Sequence, residues 1–350
     1  MQTNYWTGIQ QIGIGIKNVE EASRWYRDHF GFTAQVFDDA GEAALMLPYT
    51  KNEVRSRRAI LSLNMAGGGG FEIWQYTSRV PVEPTKPIRL GDFGIYAPKL
   101  KCPDIQKAYD FLKSNNVIVT APAKSPSGEP TFWAWDLYNN PFHLVSSDEW
   151  FQKPKHPIGG ICGAVIGVSD IKKSIEYYTQ VLGFNEVLYN TSGNYTDLPQ
   201  EQLEVENLSR VLLKKSKPNV GAFSRLLGDT EIELVQATDY TGVKIFEGRD
   251  WGDTGYIHIC FDVVDMKGLQ AHCNLHNSPF TVDSGETFDM GDSGGRFTYT
   301  EDPDGTLIEF VETHKVPILK KFGLFLNLKN KQHKPLADWM VRLLGMSKVK

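Results

Sequence analysis

The sequence predicts an α+β protein built from four similar modules, and three observations support this. Residues Ile16 to Phe32 match Val168 to Phe184 at an offset of 152 residues. A fainter repeat, at an offset of 166, relates the segments that begin at Asp92 and His258. The composition, 41% hydrophobic and 23% charged over 350 residues, is that of an ordinary globular protein with room for two or three domains.

Each repeat predicts a strand, a helix, a glycine stop and a further strand. In the first repeat the apolar residues Val19, Ala22 and Tyr26 recur at the three-to-four spacing of a helix. Gly31 follows where that helix would end, and Gly183 takes the same place in the second repeat. We therefore expect helices to alternate with runs of short strands along the chain.

The repeats divide the chain into four βαβββ modules. These modules span residues 9–76, 88–147, 160–236 and 256–312. We expect modules one and two to form an N-terminal domain over residues 1–151, and modules three and four a C-terminal domain over 158–314. The stretch at 152–157 is rich in Pro and Lys and predicts a linker, and residues 315–350 predict a basic, partly helical C-terminal tail.

Charge and hydropathy exclude several partners. The formal charge is -5, and the tail carries nine Lys and Arg against one acid, so the body carries about -13 and would repel nucleic acid. No apolar run approaches the roughly 20 residues of a membrane span. The first residues have no secretory pattern, and the four scattered cysteines fit a reducing compartment, so we expect a cytoplasmic protein without a structural disulfide.

The tail predicts a packing element. A helix is expected to open at Pro335 and to present Leu336, Trp339, Met340 and Leu343 on one face. Such a face would pack on its own domain or on a partner subunit, so a homodimer through the tail is possible.

Three segments resemble the vicinal oxygen chelate superfamily. They are Ile9-Gln-Gln-Ile-Gly-Ile-Gly-Ile16, Ile232-Glu-Leu234 and Asp302-Pro-Asp-Gly-Thr-Leu-Ile-Glu309. This superfamily includes glyoxalase I, methylmalonyl-CoA epimerase, extradiol and hydroxyphenylpyruvate dioxygenases, and bleomycin or fosfomycin resistance proteins. The resemblance covers about residues 9 to 312 and implies that paired modules curl into two glyoxalase-like open β-barrel domains. It also implies a divalent metal ion inside a barrel and a small-molecule substrate.

The resemblance places metal ligands on the first and last strands of each module. In the C-terminal domain these positions hold Gly163, Glu233, His258 and Glu309. In the N-terminal domain they hold a less regular set, Gln11, Glu72, Asp92 and His143. We predict a metal site formed by Glu233, His258 and Glu309, with either Glu233 or Glu309 moving a proton.

Strand alternation supports these choices on physical grounds. Glu233 lies between Ile232 and Leu234, so its side chain faces away from the packed side of its strand. His258 and Glu309 are likewise flanked by apolar residues. Imidazole and carboxylate groups on one concave face suit Zn, Ni, Mn or Fe(II) and leave coordination positions open for substrate.

Gly163 bears on the type of chemistry. Oxygenases of this superfamily use two histidines and a glutamate, and a glycine at the first position breaks that triad. A lyase or isomerase that stabilises an enediolate fits better. Two alternatives stay open: an Fe(II) dioxygenase with water at the missing position, and a metal-free binding or resistance protein. The latter would use the cavity aromatics Trp6, Trp74, Trp133, Trp135 and Tyr299.

Overall fold

The computed structural model describes residues 4–199, 207–286, 288–290, 293–319, 324–328 and 333–349. Module one contains β1 (Trp6–Gly15), α1 (Val19–Phe30), β2 (Ala34–Glu42), a 3₁₀ helix (Ala44–Tyr49), β3 (Ser56–Leu63) and β4 (Gly70–Tyr76). Module two contains β5 (Gly94–Cys102), α2 (Ile105–Ser114), β6 (Ile118–Val119), β7 (Ala123–Lys124), β8 (Pro130–Trp135) and β9 (Pro141–Ser146). The predicted α+β class with repeated modules is confirmed.

The second half of the chain repeats this order. Module three contains β10 (Ile161–Gly167), α3 (Ile171–Gln180), β11 (Glu186–Gly193), β12 (Leu208–Lys214), α4 (Ser224–Leu227) and β13 (Glu231–Ala237). Module four contains β14 (Gly255–Val263), α5 (Met266–Leu275), β15 (Val282–Asp283), β16 (Phe288–Met290), β17 (Ser293–Glu301) and β18 (Leu307–Leu319). The tail adds β19 (Leu324–Asn327), α6 (Asp338–Leu343) and a 3₁₀ turn (Leu344–Met346).

The repeated helices begin and end at the capping residues that the sequence supplies. Asn18 accepts hydrogen bonds from the backbone N–H groups of Glu20 and Glu21 at the start of α1, and Asp170 caps α3 in the same way. Gly31 ends α1 with φ 72°, a left-handed conformation that glycine adopts without steric cost. These caps fix the length of each helix and hence its position against the sheets.

Two curled sheets carry the nineteen strands found in the described ranges. The first has the order β15-β17-β18-β14-β1-β4-β3-β2, with β16 paired to β17 and β19 to β18. The second has the order β11-β12-β13-β10-β5-β9-β8-β6, with β7 paired to β8. We call the first sheet barrel one and the second barrel two.

The predicted pairing of the modules is wrong. Barrel one joins module one to module four through an antiparallel contact of β1 with β14, and barrel two joins modules two and three through β5 and β10. The first strand of every module can pair with the first strand of another, so the modules have interchangeable edges. The repeat fixes the internal structure of a module, and contacts far apart in sequence select its partner.

One hydrophobic core lies between the barrels and the helices. Its fully buried members come from all four modules, as Tyr26, Phe142, Tyr178 and Phe310 illustrate. The phenol of Tyr26 donates a hydrogen bond to Asp136 (2.6 Å), and that of Tyr178 donates one to Asp302 (3.1 Å). These equivalent bonds tie each helix to the last turn of the module that follows it.

The tail packs on its own chain. β18 runs beyond the predicted end of module four, and β19 pairs with it. Leu336 and Val341 are buried in a cluster that also contains Leu63 and Leu226, whereas Trp339 of the predicted apolar face is 63% exposed. The four cysteines are free and buried. Among the described residues, no helix combines the length and apolar character needed to cross a membrane.

Candidate metal centre

Four neighbouring strands of barrel one each place one polar side chain on the inner face of the sheet. Gly13 of β1 lies opposite His258 of β14 on one side and opposite Glu72 of β4 on the other. Gln11 lies two residues before Gly13 and so shares its face, and Glu309 of β18 lies beside β14. The structure therefore brings together Gln11, Glu72, His258 and Glu309, all of them buried.

These four side chains converge on one point. His258 Nε2 lies 3.1 Å from Glu309 Oε2 and 3.4 Å from Glu72 Oε2. The Gln11 amide nitrogen lies 3.5 Å from the same two carboxylate oxygens. One ligand atom each from Glu72, His258 and Glu309 falls within 4.8 Å of the others, which is a spacing that one metal ion can bridge.

The polar atoms of this cluster fit a cation. Gln11 Oε1 is buried without a hydrogen-bond partner among the described residues. The two carboxylates lack a Lys or Arg partner there, so His258 is the one group that could bring a positive charge to them. Buried charges of one sign need a counter-charge. Rotation of the Gln11 amide by half a turn would present its oxygen, since the two ends of an amide are interchangeable in such a site.

Gly13 makes room for the imidazole. A Cβ at this position would lie 2.4 Å from His258 Cε1 and 2.7 Å from Nε2. Any other residue would push the ring away from Glu72 and Glu309. A glycine in the middle of a buried strand is costly, so its presence here is explained by the close approach of the ring.

Tyr299 orients His258 from the other side. The Tyr299 hydroxyl lies 3.2 Å from Nδ1 of His258, which leaves Nε2 for the cluster. Burial, together with the charges of Glu309 and Glu72, raises the pKa of Tyr299 well above its ordinary value, so the phenol stays protonated. Burial alone would lower the pKa of His258, but Glu309 and Glu72 raise it to about 9.

Two cavities reach the carboxylates from different directions. The first, of about 130 Å³, opens to solvent and is mainly apolar, with walls from Phe37, Leu63, Phe223, Leu227, Val316 and Leu344. The second, of about 180 Å³, is lined by Arg57, Trp74, Trp251 and Tyr299. Glu72 and Glu309 border both cavities. A small molecule that enters either one therefore meets the cluster.

Glu233 does not lie at this site, although we expected it to act with His258 and Glu309. It stands in barrel two, where β13 pairs with β10 and places Glu233 opposite Val165. The positions equivalent to Gln11, Glu72, His258 and Glu309 there are Gly163, Glu233, Ala97 and His143, by the register of the two sheets. Barrel two thus offers two candidate ligands instead of four.

Basic side chains neutralise Glu233. Lys99 Nζ lies 3.3 Å from Glu233 Oε2 and 2.5 Å from Glu231, and the Arg210 guanidinium lies 2.7 Å from Glu233 Oε1. Arg210 also holds Asp197 through two hydrogen bonds of 2.8 and 2.9 Å. Burial alone would raise the pKa of Glu233, but Arg210 and Lys99 hold it far below its ordinary value. Barrel two is therefore closed by an internal ion network.

His143 and Asp92, two members of the predicted first-domain set, do not lie at the cluster either. His143 stacks on Trp133 at 4.4 Å, and burial and the charge of Lys99 lower its pKa well below the ordinary value. Asp92 lies in the turn before β5 and accepts hydrogen bonds from the backbone N–H groups of Arg89 (2.8 Å) and Val243 (3.1 Å).

The misplacement of Asp92 has a simple cause. Gly255 pairs with Gly15 in barrel one, and Gly94 pairs with Gly167 in barrel two. The strands β5 and β14 are therefore offset by 161 residues, whereas the far ends of modules two and four are offset by 166. The loops within modules two and four differ in length. An offset of 166 residues, taken from the last strands of these modules, therefore misaligns their first strands, β5 and β14. Only two residues of the predicted first-domain set, Gln11 and Glu72, therefore lie at the cluster with His258 and Glu309.

Comparisons with known proteins agree with this geometry. The model of the Glyoxalase/Bleomycin resistance protein/Dioxygenase superfamily matches residues 160–310. Glyoxalase I from Zea mays is similar in structure, with a TM-score of 0.55 and 14% identity over 87% of this chain and 92% of that one. A candidate dioxygenase from Bacillus subtilis gives a TM-score of 0.57 and 15% identity over 89% and 86%. No curated protein matches the chain.

The likeness to solved structures spans both barrels and concerns the fold, while the family match lies in the half of the chain that supplies His258 and Glu309. Repeated βαβββ modules, two curled sheets and an inner cluster of polar side chains agree with both findings. Residues 160–310 of this chain therefore match the glyoxalase, bleomycin resistance protein and dioxygenase superfamily, and the chain as a whole is similar in fold to glyoxalase I.

Proposed function

We propose that this protein is a divalent-metal-dependent enzyme of the lyase or isomerase type that acts on a small oxygenated substrate. The observation that carries the proposal is the convergence of Gln11, Glu72, His258 and Glu309 at the meeting point of two cavities. Four oxygen and nitrogen donors suit Zn, Ni, Mn or Fe(II). The metal would be held between modules one and four, in barrel one.

The chain's own groups would divide the work. When bound, a divalent ion polarises neighbouring oxygens of a substrate and stabilises the negative charge of an enediolate. Gln11, Glu72 and His258 would hold it, with Tyr299 fixing the His258 ring. Glu309 would move the proton next to the carbonyl, because its side chain is the more exposed of the two carboxylates at 9% against 4% for Glu72.

The donor set favours this chemistry over an oxygenase. Non-haem Fe(II) oxygenases typically use two histidines and one carboxylate with open positions. The cluster has one imidazole, two carboxylates and one amide. An Fe(II) dioxygenase remains the alternative that oxygen consumption by iron-loaded protein would support. A metal-free binding protein is the other alternative, which the mainly apolar lining of the first cavity favours.

Deuterium exchange tests the proton-moving role of Glu309. Metal-loaded protein in D₂O should exchange the protons next to the carbonyl of an aromatic α-hydroxyketone such as 2-hydroxyacetophenone, and proton NMR follows this exchange. Glu309→Gln should lower the exchange rate per bound metal by about 10²- to 10⁴-fold, the usual worth of a general base. Glu301→Gln, a carboxylate bonded to Tyr49 at the surface, is the control. Exchange that survives in Glu309→Gln would exclude Glu309 as the base.

A further inference from the structure

The second cavity beside the metal centre has an unusual wall. It is lined by the aromatic rings of Trp74, Trp251, Phe297 and Tyr299 together with the guanidinium-bearing side chain of Arg57. Glu72 and Glu309 form its inner end. We call this space the Arg57 cavity. A ligand held at the cluster would extend into either this cavity or the apolar one.

The strands place these side chains by alternation. Glu72 and Trp74 are two residues apart on β4 and share its inner face. Arg57 and Leu61 lie on the inner face of the neighbouring β3, where Leu61 is opposite Glu72. Arg57 is opposite Tyr76, so it lies one inner-face position further along the strands from the cluster than Trp74 does. The wall is part of the sheet that carries the ligands, and its position relative to them is fixed by the strand register.

Three N–H donors of this wall have no partner. Arg57 Nε, Trp74 Nε1 and Trp251 Nε1 are buried and lack a hydrogen-bond acceptor within the described part of the chain. Leaving one such donor unsatisfied is unfavourable, and native proteins keep few of them. Because three unsatisfied N–H donors belong to residues that line one cavity, we look for a single explanation for all of them. An acceptor that arrives with a ligand would provide it.

Arg57 is held in place for such a role. Its Nη1 donates to the carboxylate of Asp39 (2.6 Å) and to the backbone carbonyl of the same residue (3.0 Å). Its guanidinium carbon lies 5.0 Å from the centre of the Trp74 ring. The ion pair with Asp39 balances the positive charge. Glu42, Glu72 and Glu309 also line the cavity. The cavity therefore offers hydrogen-bond donors and flat apolar surfaces without an excess of positive charge, which suits an uncharged acceptor more than a carboxylate.

We propose that the Arg57 cavity binds a planar, conjugated part of the substrate whose uncharged oxygen atoms accept hydrogen bonds from Arg57, Trp74 and Trp251. This inference rests on the proposed function, because it assumes that the oxygens next to this group are bound at the cluster. It assigns the substrate to the aromatic or conjugated oxygenated compounds rather than to short aliphatic ones. Arg57, Trp74 and Trp251 would be substrate-binding residues.

Two chelators test the proposal on zinc-loaded protein. Tropolone binds a metal through two neighbouring oxygens and has no other acceptor. Kojic acid binds through a similar pair and carries further acceptors on its ring. Isothermal titration gives the affinity of each for the wild type, Trp74→Phe and Trp251→Phe. Phenylalanine keeps the aromatic wall and removes only the N–H group. Trp150→Phe is the matched control, since that indole donates to Ser147 away from the cavity.

The expected result is selective. Trp74→Phe and Trp251→Phe should each lower the affinity for kojic acid by about three- to tenfold, which is the contribution of one hydrogen bond. The affinity for tropolone should fall by less than about twofold. Zinc content, measured on the same samples, should not change. Equal effects on both chelators, or none, would overturn the inference. Wild-type protein that binds no zinc, or zinc-loaded protein that binds neither chelator, would instead contradict the proposed function.

Discussion

Replacement of His258 by Ala is expected to abolish stoichiometric metal binding. His258 supplies the imidazole of the cluster, and its Nε2 lies 3.1 to 3.4 Å from both carboxylates. Loss of a group that merely orients a ligand already costs about 10- to 100-fold in affinity, so loss of the ligand itself should cost at least about 100-fold. Plasma mass spectrometry on protein purified without chelator measures the content.

The matched control is His272→Ala. His272 lies on α5, where its ring contacts backbone carbonyls of α3 and its end rather than a carboxylate. This variant should retain about one metal per chain. Metal content that falls equally in both variants would point to adventitious binding by histidines. Full retention in His258→Ala would exclude the cluster as the metal site.

Of the substitutions proposed, Arg210→Met should lower the free energy of unfolding the most. The Arg210 side chain is fully buried and bonded to both Glu233 and Asp197, so its removal leaves two buried carboxylates without their main counter-charge. Breaking a buried pair in this way costs about 3–5 kcal/mol of unfolding free energy. Arg225→Met is the control: that side chain is 57% exposed and pairs with Asp338, so its loss should cost about 0–1 kcal/mol. Urea unfolding at pH 7 compares them.

The same network should make the fold sensitive to acid. The pKa of Glu233 is lower in the folded chain than its ordinary value of 4.5, so folding is favoured by ionised Glu233. This contribution is fully present above about pH 4.5 and is lost as the pH falls below it. The difference in unfolding free energy between wild type and Glu233→Gln should therefore be larger at pH 7 than at pH 3. Equal differences at both pH values would contradict the ion network.

Local structure follows closely from the sequence. The three-to-four spacing of Val19, Ala22 and Tyr26, with Asn18 and Gly31 at its ends, specifies α1 almost to the residue. Alternation along β14 and β18 correctly places His258 and Glu309 on an inner face. These are short-range properties, governed by helix and strand geometry and by capping, and they repeat in each module.

The partner of each module could not be predicted in the same way. The first strands β1 and β5 both mix apolar and polar residues and are both almost fully buried, so neither pattern shows whether its partner is β10 or β14. One signal does separate the alternatives. Joining module one to module four supplies the four donors Gln11, Glu72, His258 and Glu309, whereas joining modules three and four leaves Gly163 where a donor is needed. The completeness of the donor set would have favoured the observed pairing.

The burial of Lys99 and Arg210 could not be predicted from the sequence either, for a different reason. Lys99 lies between Pro98 and Leu100, and Arg210 lies between Ser209 and Val211. Nothing in these patterns tells a buried cation from an exposed one. Their burial follows from Glu233, Glu231 and Asp197, which come from other strands or loops. A charge can be buried when its partner is supplied by the tertiary structure, so such networks emerge only from the fold.

We propose above that modules one and four together form the metal centre. Metal content in Glu72→Gln and Glu233→Gln, measured on folded protein recovered by size exclusion and titrated with Co²⁺, tests it most directly. Glu72 belongs to module one and Glu233 to module three, and both are buried carboxylates on last strands of their modules. Loss of Co²⁺ binding in Glu72→Gln, with about one Co²⁺ per chain retained in Glu233→Gln, is the predicted result. The reverse would contradict the account.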